Sequence, residues 1–484
     1  MREEIPKQDP KEVRRQLILK GKVLNVLLIL VWPFILQTIL QMMTGFVDFY
    51  MIGRYGMDND LGPDPLAAIG LANNALSILF SLAMGIGIGL STLVALYTGK
   101  GDHRGAVTVA VDTFWFVAIF AIIITIAGRF FLHDFIMVYN SSERVTGYLY
   151  DYLIIFINGM FVVLISMVIF SLMQGTGDTL TPTIILSIIN LLNIIFNWIL
   201  IPGPAIWGID TSTLGLGMGI KGAAIGTVLA RFIGCAIVFT LMFSGRYRID
   251  MRKAERFYPL WRGVWPVLSI GLPSAFQFVS RNFSVLVLNF IISFSSIKEK
   301  AHAVLNTGFL IEWIPFGPAM ALTQAAAIMV GQGIGAGLKD RAERAAHTAF
   351  GFSLIIMCLN ALLFWFWPEM LARMFTDDMD VITSMAIYLK IMGISDIFLA
   401  SLIYAGAIRA AGDATRPMLI NVLTIWALRI PMAWAAMKYT NLDYTGVWLA
   451  MGISQMVQGT ALVILFRTGG WKKMDFLRKR EPEI

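Results

Sequence analysis

Twelve stretches of roughly 20 or more mainly apolar residues run through this chain, and this length is what a helix needs to cross a bilayer. They lie near 23–52, 66–97, 105–128, 148–173, 182–202, 216–244, 263–295, 301–330, 346–367, 383–408, 417–437 and 445–466. Only a helix satisfies its own backbone hydrogen bonds within so long an apolar run, so the expected fold is all-α and polytopic. Composition agrees: 57% hydrophobic and 14% charged residues, with a mean hydropathy of +0.72, leave too little polar surface to coat a soluble globule. The run from Val23 follows a long polar N-terminus and exceeds the core of a secretory signal, so it is expected to persist as a span. Cys235 and Cys358 each sit in an apolar run and read as core residues rather than as a disulfide or metal pair.

Basic residues gather on one side of this topology, in the N-terminal segment, in 246–262 and in the tail. Because basic segments resist translocation, both termini are expected on the cytoplasmic side of the cell membrane. The clusters Arg246, Arg248, Arg252, Lys253, Arg256 and Lys472, Lys473, Arg478, Lys479, Arg480 then face anionic lipid headgroups. That accounts for the net charge of +7 without nucleic acid as a partner.

The chain also repeats itself. A shift of 240 residues lays Pro33, Gln37, Gln41, Thr44 and Asp48 over Pro273, Gln277, Arg281, Ser284 and Leu288. A shift of 235 lays "QGTGDTLTP" (174–182) over "RAAGDATRP" (409–417), while "TGKGDHRGA" (98–106) answers "VGQGIGAGLKDRAERA" (330–345) less closely. Six spans per copy is an even number, so both copies enter from the cytoplasm and the repeat is parallel. The expected architecture is twelve transmembrane helices in two parallel six-helix lobes around a central cavity. In chain order this gives an N-terminal segment 1–22, an N-lobe 23–245, a basic linker 246–262, a C-lobe 263–468 and a basic tail 469–484.

Loops exclude several chemistries. No G-x-x-x-x-G-K-[ST] phosphate cradle and no H-E-x-x-H is present, and His103, His133, His302 and His347 are scattered. The glycine-rich "GQGIGAG" (331–337) lies between two spans and reads as a tight turn. No clustered His/Asp or Ser/His set suggests an enzyme acting on lipid, and no repeated filter segment suggests a channel. Chemistry is therefore expected from polar groups within spans.

Asp48 is foremost, since no charged side chain precedes it from Val23 to Val47. A carboxylate near the bilayer centre costs about 3 kcal/mol on insertion scales and marks a functional site by default. At 100° per residue, Gln37, Gln41, Thr44 and Asp48 share one stripe, and Asn190, Asn193 and Asn197 share another in the fifth span. Carboxylate, amide and hydroxyl oxygens suit a hard monovalent cation, and a buried carboxyl equally suits a proton; the residues do not choose between Na+ and H+. Interhelical hydrogen bonding is the structural alternative for any single amide. Arg281, Glu312, Asp396 and Arg429 bring two charges of each sign into later spans, either as compensating pairs or as groups that touch substrate. Asp112 and Asp151 lie near span ends, where water reaches.

The first-span proline fifteen residues before Asp48, "MQGTGDTLTPTIILSIINLLNIIFNWIL", "GIKGAAIGTVLAR" (219–231) and "AAIMVGQGIGAGLKDRAERAA" (326–346) resemble the multidrug and toxic compound extrusion (MATE) transporters over nearly the whole chain. The resemblance implies a cation-coupled antiporter that exports amphipathic, often cationic, organic compounds and needs no cofactor beyond Na+ or H+. It implies a cation site at Asp48, Gln41, Asn193, Asn197 and Thr227, with Asp48 the metal ligand if Na+ couples, and a helix bend at Pro33. Gln37, Asn190, Gln277, Arg281, Glu312, Asp396 and Arg429 would line the substrate cavity, and the expected active form is a monomer. Two positions depart from the family pattern: Arg281 stands where one branch carries glutamate, and Asn197 where an archaeal branch carries a second aspartate. A lipid-linked precursor flippase of the same superfamily is the alternative, because Arg281 and Arg429 would suit a pyrophosphate.

Overall fold

A computed structural model describes residues 10–201, 217–244, 261–474 and 476. The linker cluster from Arg246 to Arg256 and the tail residues Arg478 to Arg480 lie outside them. The described residues form helices joined by short turns, with no strand among them. In order they form α1 (Pro10–Lys20), α2 (Val23–Asp58), α3 (Asp64–Lys100), α4 (His103–Met137), α5 (Glu143–Asn158), α6 (Met160–Gly175), α7 (Leu180–Leu200) and α8 (Gly219–Phe243). There follow α9 (Trp261–Ile292), α10 (Lys298–Gly335), α11 (Lys339–Phe366), α12 (Pro368–Arg373), α13 (Met379–Asp396), α14 (Leu402–Ala410), α15 (Thr415–Leu423), α16 (Ile430–Tyr439) and α17 (Asp443–Arg467).

Among the described residues, eleven stretches are long and apolar enough to cross a membrane. The fourth expected span is two helices, α5 and α6, bent by 55° at Gly159, and counted as one span it brings the number to 12. The tenth span is also broken: α13 ends at Asp396, a 3-10 segment occupies Ile397–Ser401, and α14 resumes. In the eleventh, a π turn at Thr424–Arg429 separates α15 from α16. Short 3-10 and π segments inside a helix commonly mark functional positions, because they re-aim side chains and release backbone groups.

The internal repeat is written into the backbone. Gly177 and Gly412 both take positive φ, 85° and 101°. This conformation suits glycine, and it ends a helix with a paired set of bonds. Gly177 N–H donates to Gln174 O and Asp178 N–H to Met173 O, as Gly412 donates to Arg409 O and Asp413 to Ile408 O. Each aspartate then accepts a backbone N–H from three residues on, Asp178 from Thr181 at 3.2 Å and Asp413 from Arg416 at 3.1 Å. Every partner is related by the same shift of 235 residues.

The chain forms two compact units. One comprises Met1–Ile35, Ala95–Asp102 and Ser269–Ile484; the other comprises Leu36–Val94 and His103–Leu268. In the first, α10 packs on α11, α13 and α14, and α17 on α13 and α16. Its core includes Leu288, Ile292, Val304, Met385, Leu389 and Trp448, all buried. The amphipathic α1 is held there by arginines: Arg15 donates to Thr98 O at 3.0 Å and Gly99 O at 2.9 Å, and Arg341 to Ile18 O and Gly21 O. In the second unit α8 packs on α5, α6 and α7, and α4 on α5 and α6.

Two expectations are corrected. Cys358 is exposed, not in a core; it shares a face of α11 with the exposed Ile355, Leu359 and Leu362, an apolar stripe suited to lipid. Asp112 is fully buried, not wetted, because α4 begins at His103 and carries it well inside, beside Val109, Thr113 and Gly263. Asp151 is half-buried and pairs with Lys221 at 3.2 Å.

Candidate functional site

Small residues bring α7 and α8 together in the second unit. Gly226 faces the Asn197 side chain so closely that a Cβ there would collide with Oδ1. Small residues at such contacts let membrane helices approach until their polar side chains bond. The asparagine stripe of α7 then becomes a connected chain. Asn193 Nδ2 donates to Thr227 Oγ1 at 3.0 Å, and Asn197 Nδ2 donates to Asp48 Oδ1 at 2.6 Å and toward Asn193 Oδ1 at 3.5 Å. Thr227 Oγ1 closes the chain on Ala223 O at 3.0 Å. Asn193 and Asn197 are buried.

Asp48 is thus tied to α7 by one short charge-assisted bond, of a kind about twice as strong as a neutral one. One polar atom beside it is left over: Asn197 Oδ1 is buried and has no hydrogen-bond partner. An orphan amide oxygen next to a carboxylate is an acceptor pair without a donor, and a hard cation or a proton supplies what is missing. Asp48, Asn193, Asn197 and Thr227 together offer carboxylate, amide and hydroxyl oxygens, so the donor set fits Na+ as well as H+. Among the described residues no group of three or more His, Cys, Asp or Glu is placed to hold a metal ion.

The remaining expected residues are distributed as follows. Gln41 is exposed and makes no side-chain hydrogen bond among the described residues. Gln37 is buried and donates to Thr183 Oγ1 of α7 at 2.6 Å. Asn190 keeps a buried Nδ2 without a partner. Pro33 lies inside α2, two residues before the boundary between the units falls at Ile35. In the first unit Gln277 is buried and accepts from Arg409 at 3.1 Å. Arg281, Glu312 and Asp396 lie in electrostatic reach of one another, and Arg429 in reach of Arg281 and Glu312. No ion pair joins them among the described residues; each is held instead by neutral neighbours.

Two residues near Asp48 went unnoticed in the sequence. Arg231, from α8, acts electrostatically on Asp48, and Asp48 in turn acts on Tyr152 of α5. Arg231 forms no side-chain hydrogen bond or ion pair among the described residues. Its signal was available, since it is the one charge from Gly222 to Phe243 in an apolar span, one helical turn after Thr227. Tyr152 gave no signal, because a tyrosine in a membrane span is commonplace.

Comparison with known proteins adds an independent line. The sequence model of the MatE family matches residues 33–199 and again 273–435. A probable multidrug resistance protein NorM of Thermotoga maritima is 28% identical over 99% of this chain and 98% of its own length. An FAD transporter of Shewanella oneidensis is 24% identical over 84% of this chain and 87% of its own. Among solved structures, an outward-facing multidrug resistance MATE family transporter of the MOP superfamily superposes with a TM-score of 0.85 at 21% identity, covering 94% of this chain and 98% of that one.

Proposed function

The chain belongs to the MatE family, a family of membrane transporters rather than enzymes, and we propose that it is a secondary antiporter exporting amphipathic, often cationic, organic compounds in exchange for Na+ or H+ bound at Asp48. It is a multi-pass membrane protein with small-molecule cargo. The proposed setting is the cell membrane with both termini cytoplasmic, on the strength of the basic residues in 1–22, 246–262 and the tail. Multidrug relatives matched along nearly their whole length support the export of drugs.

One observation carries the coupling role: a carboxylate bonded by Asn197 at 2.6 Å beside an amide oxygen that has no donor. When a proton or Na+ neutralises Asp48, the desolvation cost of its charge is relieved, and Asn197 is free to bond differently. The bond between α2 and α7 changes with it. Pro33, which removes one backbone hydrogen bond from α2, gives that helix a place to bend. Each coupling charge carried inward draws about 2.3 kcal/mol from a 100 mV potential, which helps to drive an uncharged cargo outward, while a singly cationic cargo exchanged one for one is driven by the cation's concentration gradient.

The test is Asp48→Asn in purified protein reconstituted into vesicles with an imposed Na+ or H+ gradient. Gradient-driven efflux should stop while the folded protein still binds a cationic dye. Efflux at the wild-type rate would make the carboxylate structural and overturn the assignment.

A further inference from the structure

The first unit contains a cluster to which the coupling scheme gives no task. Arg281 of α9, Glu312 of α10, Asp396 at the end of α13 and Arg429 in the π turn contribute its charges. The two acids are supplied by neutral donors. Tyr388 donates its hydroxyl to Glu312, while Gln455 Nε2 and Asn360 Nδ2 donate to Asp396 at 2.8 and 3.3 Å. The two bases are not supplied in return. Arg281 lies with its guanidinium carbon 4.5 Å from the centre of the Phe316 ring, and its N–H groups meet no acceptor among the described residues. Arg429 gives Nε–H to Ser454 Oγ at 2.8 Å, and its two terminal nitrogens likewise meet none.

The arginines are also neighbours. Trp426, in the same π turn as Arg429, donates Nε1–H to Oγ of Ser280, the residue before Arg281, at 2.7 Å. The two guanidinium charges repel each other at this range. Glu312 and Asp396 offset part of that repulsion without occupying any guanidinium N–H. Arg281 is exposed and Arg429 half-buried, so both remain accessible. Unmatched guanidinium donors within a membrane span are costly, and intramembrane arginines are ordinarily paired or face a cavity. What the cluster lacks is a planar or tetrahedral group of negatively charged oxygens. A guanidinium stacked on an aromatic face keeps its N–H groups in plane and free for such a group.

We propose that Arg281 and Arg429 form a fork that binds the carboxylate or phosphate of an amphipathic compound, so that the cargo includes zwitterions and monoanions as well as cations. The acids beneath the fork oppose a second negative charge, which favours a single anionic group over a pyrophosphate. The identity of this guest as cargo rests on the export reading above, but its binding requires neither a gradient nor Asp48.

The experiment therefore measures binding alone, with the purified full-length protein in neutral detergent. Pyrenebutyrate and its uncharged methyl ester are compared by fluorescence anisotropy on wild type, Arg281→Gln and Arg429→Gln. Wild type should bind the acid roughly tenfold more tightly than the ester, as expected for a charge-assisted bidentate contact. Each variant should lose that preference and still bind the ester, which also reports an intact fold. A wild type without preference for the acid, or variants that keep it, would overturn the fork. Should a glutamine variant lose both probes, Arg281→Lys and Arg429→Lys decide. Each keeps the charge but not the planar donors, so a reduced preference supports the fork and an undiminished one refutes it. Competition by short-chain phosphatidylglycerol but not phosphatidylcholine would assign the fork to a lipid headgroup, and no competition by either would assign it to a soluble compound. Loss of coupling at Asp48 would leave this binding result unchanged.

Discussion

Replacing Gly226 by alanine adds one methyl group where α8 meets α7. The new Cβ would collide with Asn197 Oδ1 and lie 3.3 Å from Phe196 Cβ. Asn197 is fully buried and cannot turn its amide to water. The amide must shift, and its 2.6 Å bond to Asp48 shifts with it. Overpacking a tight contact costs about 1–3 kcal/mol, and a hydrogen bond to a charged group contributes about 1.5–3 kcal/mol. Alanine regains about 0.5–1 kcal/mol of helix preference. The expected net loss is roughly 2–5 kcal/mol of apparent stability. Gly45→Ala is the control, since it lies on α2 just before Asp48 and a Cβ there meets nothing within 4 Å. It should be neutral or stabilising by about 0.5–1 kcal/mol. Thermal unfolding of the purified proteins reads the stability, and efflux from vesicles with an imposed gradient reads the coupling. If Gly226→Ala matches wild type in both, Asn197 does not position Asp48 through this contact, and the reasoning from helix approach to carboxylate geometry fails.

Arg231→Gln removes the positive charge that acts on Asp48, and it should lower severalfold the Na+ or H+ concentration giving half-maximal efflux; an unchanged half-saturation would show that Arg231 has no part in cation binding. Arg341→Ala removes the guanidinium bonds to Ile18 O and Gly21 O. Hydrogen exchange over Val13–Leu19 should accelerate by at least about tenfold, the equivalent of one such bond, and unchanged protection would refute the claim that Arg341 holds α1.

The spans were legible because bilayer thickness imposes a length that few other constraints mimic. The duplication was legible because glycine and aspartate at helix ends, Gly177–Asp178 and Gly412–Asp413, do the same backbone work twice. The breaks were not. Nothing in the apolar runs "IFLAS" (397–401) and "TIWALR" (424–429) distinguishes a continuous helix from the 3-10 segment after Asp396 or the π turn before Ile430, because each depends on what packs alongside. Asp48, Asn193, Asn197 and Thr227 were found from helical stripes and from resemblance, and the structure brings all four together. Gln41 shares the stripe of Asp48 yet is exposed, while Gln37, one turn earlier, makes the bond to α7. Periodicity gives the face of a helix; it does not say where along that face the neighbour arrives. Spacing within the span of Asp48 does not point to Arg231, because a counter-charge is supplied by whichever helix packs nearby.

The two copies of the repeat share their punctuation and differ in their interiors, and that difference bears on which acid couples. Leu288 stands where the repeat would place a second Asp48, and it is fully buried in an apolar core. The first unit has acids elsewhere, but Glu312 and Asp396 each accept from neutral donors, and Asp396 from two. An acid already furnished with donors gains less from a cation, because binding must displace bonds as well as add them. Asp48 has one such donor, and the atom adjoining it is an acceptor that nothing satisfies. The same count applied to the arginines runs the other way, since it is their donors that lack partners. On hydrogen-bond saturation, then, the Asp48–Asn197 pair lacks a donor and the Arg281–Arg429 pair lacks acceptors, which is why the coupling cation is proposed at Asp48 and an anionic group of the cargo at Arg281 and Arg429.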